Sequence, residues 1–247
     1  MRCLQSVRSR GDQFTAVTVV SAHGYVHAAR HDWEGLDRLT REMTAAMDGW
    51  TVSFGVWDIY RLRLRVLRAL CWGDVARARA LLDELWPALQ QHHLLRVPAV
   101  RSAALSLRVA VLLNQLAAQP ASSRFARFGA AAARVRALTT DVLGLVRALE
   151  GEPRRDALAQ ALVARAALAH RQGTDAQRDA LLERAFVVAQ EADLRVTDRM
   201  IRRLQAALRG RWEERDQIDH ELGRAGVSVP AAWQAFATPG FASVHSA

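Results

Sequence analysis

Apolar residues return along this chain at steps of three and four, and the register is sharpest over 75–92. There Val75, Ala78, Leu81, Leu82, Leu85, Trp86 and Leu89 share one face, with Arg77, Arg79, Asp83 and Glu84 opposite. Such a stripe must pack on a neighbour. The helix before it offers a matching surface in Trp57, Tyr60, Leu64, Leu67 and Cys71. The same reading predicts helices near 13–30, 33–47, 52–71, 75–92, 95–118, 124–150, 154–172, 176–192, 196–209 and 212–225, with a short one at 230–237. The β-branched cluster Thr15 to Val20 leads straight into a helical pattern, so essentially no strand is expected.

One turn pattern punctuates these helices. It reads His31-Asp32-Trp33-Glu34, Gly73-Asp74-Val75, Gly173-Thr174-Asp175 and Gly210-Arg211-Trp212-Glu213-Glu214. Gly supplies a left-handed end to one helix, and Asp or Thr accepts the unpaired amides that open the next. Trp33 and Trp212 hold equivalent places in it, which marks them as packing residues. Second helices of successive pairs start near 33, 75, 124, 176 and 212, a longer period than an ideal tetratricopeptide (TPR) repeat. The expected fold is all-α, a TPR-like α-solenoid of about five antiparallel helical hairpins with a short C-terminal helix. Residues 1–247 are read as a single helical-repeat domain, with soft seams near 119–123 and 150–153 where Pro, Ser and Gly gather.

Composition narrows the chemistry. Half of the 247 residues are hydrophobic, enough for a continuous core. All 34 basic residues are arginine; the absence of lysine excludes a P-loop phosphate site, a kinase phosphate lysine and Schiff-base catalysis. Cys3 and Cys71 form neither a disulfide framework nor a CxxC pair, so a reducing cytoplasm is the expected compartment. The arginines near the N-terminus precede too short an apolar run for a signal peptide, and Arg101, Arg108 and Asn114 break the longest apolar stretch. A soluble protein is expected.

Candidate ligands and charges are weighed against ordinary packing. His23, His27 and His31 are spaced i, i+4, i+8, and two imidazoles so placed could hold one metal ion, but no closed ligand set accompanies them. No metal or cofactor is expected. The net charge of +9 could draw nucleic acid, and Arg195, Arg199, Arg202, Arg203, Arg209 and Arg211 are densely placed. Asp193, Asp198, Glu213, Glu214 and Asp216 flank them, and no nucleic-acid-binding motif is present, so a salt-bridged solvent face is the expected role. No paired carboxylates in apolar surroundings and no Gly-x-Ser-x-Gly elbow occur, so no catalytic residues are assigned.

The C-terminus reads Pro230-Ala231-Ala232-Trp233-Gln234-Ala235-Phe236-Ala237-Thr238-Pro239-Gly240-Phe241, preceded by Ala225-Gly226-Val227. It resembles the ending of large bacterial serine/threonine protein kinases with a C-terminal TPR-like region, which close on Gly-Val/Ile, a Pro-Ala-Arg-Met stretch and Pro-Gly-Phe. Arg10-Gly11-Asp12-Gln13-Phe14, Trp86-Pro87-Ala88-Leu89, Leu94-Leu95-Arg96-Val97 and Arg101 extend the likeness. It departs where Arg-Met is replaced by Ala232-Trp233 and a later Met by Phe236. No glycine-rich loop, His-Arg-Asp or Asp-Phe-Gly occurs, so no kinase activity is expected of this chain and any would come from a separate or missing N-terminal domain. The resemblance implies a non-catalytic, regulatory or partner-binding module in signalling. Its expected mode is a concave groove along the first helices that binds a protein or peptide, with Arg61, Arg65 and Arg68 as candidate partner contacts. The alternatives are the helical sensor region of an ATPase-type transcriptional regulator, an arginine-driven nucleic-acid binder and, last, an all-α enzyme built on His23 and His27.

Overall fold

The computed structural model describes residues 13–47, 55–119 and 129–241. Cys3, the Arg10-Gly11-Asp12 segment, positions 52–54, the seam at 120–123 and the expected helix start at 124–128 lie outside them, as do the side chains of Phe14, Val56 and Trp57. Among the described residues every regular element is helical. The helices are α1 (Gln13–Ala29), α2 (Trp33–Met47), α3 (Val56–Cys71), α4 (Val75–Gln91), α5 (Pro98–Ala117), α6 (Ala130–Glu150), α7 (Arg155–Gln172), α8 (Asp175–Glu191), α9 (Arg195–Leu208), α10 (Trp212–Arg224) and α11 (Pro230–Ala237). The helix expected over 95–118 is split. His93 adopts a left-handed conformation (φ 55°), Leu94–Arg96 form one 3-10 turn, and Pro98, lacking an amide hydrogen, opens α5.

The turn pattern works as its residues require. His31, Gly73, Gly173 and Gly210 all take positive φ, between 58° and 74°. At each, the amide of the next residue reaches back to a carbonyl of the helix's last turn: Asp32 to His27, Asp74 to Ala69, Thr174 to Ala169 and Arg211 to Ala206. Asp193 (φ 53°) and Gly226 (φ 94°) make two further turns of this kind, closed by Leu194 to Ala189 and Val227 to Leu222. Capping of the next helix is less uniform than expected. Asp32 and Asp74 accept from the amides of Gly35 and Arg77 (2.8 and 2.9 Å), whereas the Thr174 hydroxyl donates backwards to the Ala169 carbonyl and caps nothing ahead.

Consecutive helices pack as five pairs, α1 with α2 through α9 with α10. The first members of the pairs also touch one another, α1 on α3, α3 on α5 and α5 on α7. Against this inner row lies α11, which contacts α3, α5, α9 and α10. Its seat is specific. Asn114 donates to the Ala235 carbonyl (2.6 Å), Arg203 joins Asp219 to the Gln234 side chain, and the Ser228 amide donates to the Ala29 carbonyl (2.8 Å). Phe241, 1 % exposed, stacks on His170, and a Cβ on Gly240 would stand 2.9 Å from that of Ala167. One core cluster joins Ala28, Trp33, Leu36, Leu64 and Leu67 of the first helices to Met200, Ile218, Leu222 and Trp233 of the last. The first and last described helices therefore share a core. At the seam near 150–153, the buried Glu152 carboxylate is held by Arg101 and Ser102 of α5.

Candidate functional site

The inner face of the first helices, where a partner groove is expected, carries α11 and Phe241. The candidate arginines face elsewhere. Helix α2 packs on α1 and α4 on α3, so α2 and α4 stand apart with α3 as the floor between them. A cleft of about 500 Å³ opens there, and Arg61, Arg65 and Arg68 all line it. Arg41 of α2 and Arg77 of α4 line its flanks, with Trp72 at one end and Leu36, Leu64 and Leu81 beneath. Helical spacing explains why α3 delivers three arginines to one surface: positions 61, 65 and 68 are one and two turns apart, and Leu64 lies between them. Arg63 falls on the other face, its guanidinium over the rings of Tyr25 and Phe236 (5.0 and 5.8 Å).

The five cleft guanidiniums are held differently. Arg68 is fixed: its Nη1 donates to both carboxylate oxygens of Asp37 (2.7 and 2.9 Å), and its plane lies over Trp72 at 4.2 Å. Arg61 donates to Asp58 one turn back at 3.3 Å. Arg41, Arg65 and Arg77 are exposed, and no ion pair among the described residues engages them. The remaining acid of the lining, Asp74, spends a carboxylate oxygen on the Arg77 amide as the cap of α4. Arginine stays protonated at any working pH, so the cleft carries positive charge that its own acids do not neutralise.

Arg41, Arg77 and Trp72 are the cleft residues that sequence reasoning missed. Each lies on a polar face or a turn of its own helix, and only the separation of α2 from α4 brings them to one concavity. Trp72 is 56 % exposed, a large apolar surface beside the charges.

Most of the other candidate groups are placed in packing or in ion pairs, Arg209 being exposed with no ion pair among the described residues. His27 bonds Asp32 (2.7 Å), an interaction that, after the Gly35 amide, holds the Asp32 carboxyl below its usual range. His31 meets Trp33 edge-on. In the arginine-dense segment, Arg195 pairs with Asp193, Arg199 with Glu221, Arg202 and Arg211 with Glu214, and Arg203 with Asp219. Trp33 is buried, but Trp212, expected to pack likewise, is 39 % exposed and covered on one side by Arg215. A second cavity of about 210 Å³ lies between α3, α5 and α11, lined by Cys71, Asn114 and Thr238. Burial pushes the Cys71 thiol up to about 12, which leaves it without a thiolate and unreactive at neutral pH.

Searches of protein-family models, of curated proteins and of solved structures return no match to this chain. Among the described residues, no helix is long and apolar enough to cross a membrane.

Proposed function

We propose that this chain is a non-catalytic interaction module, a TPR-like helical repeat closed by its own C-terminal helix, which docks an acidic segment of a protein partner between α2 and α4. The observation that carries the reading is the cleft itself: five guanidiniums, two lining carboxylates that are already engaged, and an exposed indole beside them. A concave site of unneutralised charge supplies steering and register through its arginines and contact area through the exposed Trp72. Placement in kinase signalling rests on the C-terminal resemblance. In support of it, residues that carry the motif also seat the segment, with Val227 and Phe241 buried and Gly240 at a position with no room for a side chain.

Titration of the full chain into a dye-labelled acidic peptide, beside the same peptide with Gln and Asn for Glu and Asp, tests the docking role by fluorescence anisotropy. Saturable binding of the acidic form alone, weakened by salt and by Arg65→Ala, is expected. Binding that survives removal of Arg61, Arg65 and Arg68 together would overturn it. The DNA upstream of Met1 tests the signalling context, where an adjoining kinase reading frame is expected.

A further inference from the structure

We propose that the acidic group held in the cleft is a phosphorylated side chain of the partner, so that docking depends on phosphorylation. The inference rests on the docking role above and names the ligand of that same site. Its starting point is the supply of donors. Arg41, Arg65 and Arg77 come from three different helices, face one cleft and have no ion pair among the described residues, while Asp37 and Asp74 are already taken. A carboxylate brings one charge and two coplanar oxygens, which suits a single guanidinium fork. A phosphate monoester brings close to two charges at neutral pH and three terminal oxygens pointing in different directions, so it can accept from donors on separate walls at once.

Arg68 adds a preorganised donor. Its guanidinium is held between Asp37 and the Trp72 ring, so it is positioned before a ligand arrives. The exposed Trp72 surface gives the residues flanking the phosphorylated side chain an apolar contact, which free phosphate cannot use. The combination selects a phosphorylated segment over a bare anion.

Three dye-labelled degenerate peptide pools, identical except for a central phosphothreonine, Glu or Thr, are titrated with the full chain. The phosphothreonine pool is expected to bind about tenfold more tightly than the Glu pool, the equivalent of one extra charge-assisted hydrogen bond. Arg65→Ala and Arg77→Ala should each remove that preference, whereas Arg199→Ala, at a guanidinium paired with Glu221 outside the cleft lining, should keep it; circular dichroism confirms the fold of each variant. Equal binding of the phosphothreonine and Glu pools overturns the phosphate inference and leaves acidic docking standing. Binding of neither overturns both. Inorganic phosphate that displaces the peptide at concentrations near the peptide's own Kd would show a bare anion site and also overturns the inference, as would tighter competition by single-stranded DNA.

Discussion

Two stretches of the molecule use one kind of building block to opposite ends. Between α7 and α9, small buried positions are frequent: Ala157, Ala161, Ala164, Ala166 and Ala167 of α7 share one core cluster with Leu182, Ala185 and Ala189 of α8. Methyl-sized side chains let helices approach closely, so α8 packs on both α7 and α9 and the pairs seal. Between α2 and α4, the gap is lined by Asp37, Thr40 and Arg41 on one side and Arg77 on the other. Arg178 bonds Asp175 and Asp179, Arg165 bonds Glu150 and Arg203 bonds Asp219, whereas Arg41, Arg65 and Arg77 face open space. Small side chains thus accompany the close packing of α7 on α8, and arginines line the gap between α2 and α4.

Truncating the plug of the closed half is the most severe way to probe this contrast. Phe241→Ala should cost about 3–5 kcal/mol in denaturant unfolding, the usual loss for a buried aromatic, whereas Arg65→Ala should stay within about 0.5 kcal/mol of wild type. A loss below about 1 kcal/mol at Phe241 would mean that the C-terminal segment is not seated as described. Enlarging a sealed contact comes next. Ala164→Leu, at a fully buried position, should cost about 1–3 kcal/mol by overpacking, while Thr40→Leu in the cleft should be nearly neutral. Equal costs would dissolve the distinction between the halves.

The smallest effect is a pH dependence on the sealed side. Burial of His170, and then the Arg178 charge beside it, hold its pKa below the ordinary value, so the native state favours the neutral ring. The unfolded chain then binds more protons as pH falls through about 6.5, so stability is lost on acidification and regained above that value. His170→Gln should flatten the Tm profile between pH 8 and pH 5 relative to wild type. An unchanged slope would assign the titration to other groups.

Much of this was legible because it is local. Gly73, Gly173 and Gly210 stop helices where only a left-handed residue fits, and the apolar steps of α4 place its buried face correctly at Ala78, Leu81, Leu82 and Leu89. The closure by α11 was not, since Asn114 and Ala235 are 121 residues apart and no periodicity encodes which distant surface a short apolar helix will fill. Trp33 and Trp212 show the same limit: equivalent turn positions, but one indole meets Trp72 and the core while the other meets solvent and Arg215. For the cleft, the spacing of Arg61, Arg65 and Arg68 marked the floor. Its walls depend on where α2 and α4 come to rest, which belongs to packing and not to either helix alone.

Two charge reversals of equal size give the most direct comparison of the halves. Arg65→Glu with Arg77→Glu changes the cleft, and Arg199→Glu with Arg215→Glu changes the net charge equally at paired positions of the sealed half. With an acidic peptide at fixed ionic strength, the first double variant is predicted to lose saturable binding and the second to retain the wild-type Kd. Equal loss in both would show that binding follows net charge, and would contradict a docking site between α2 and α4.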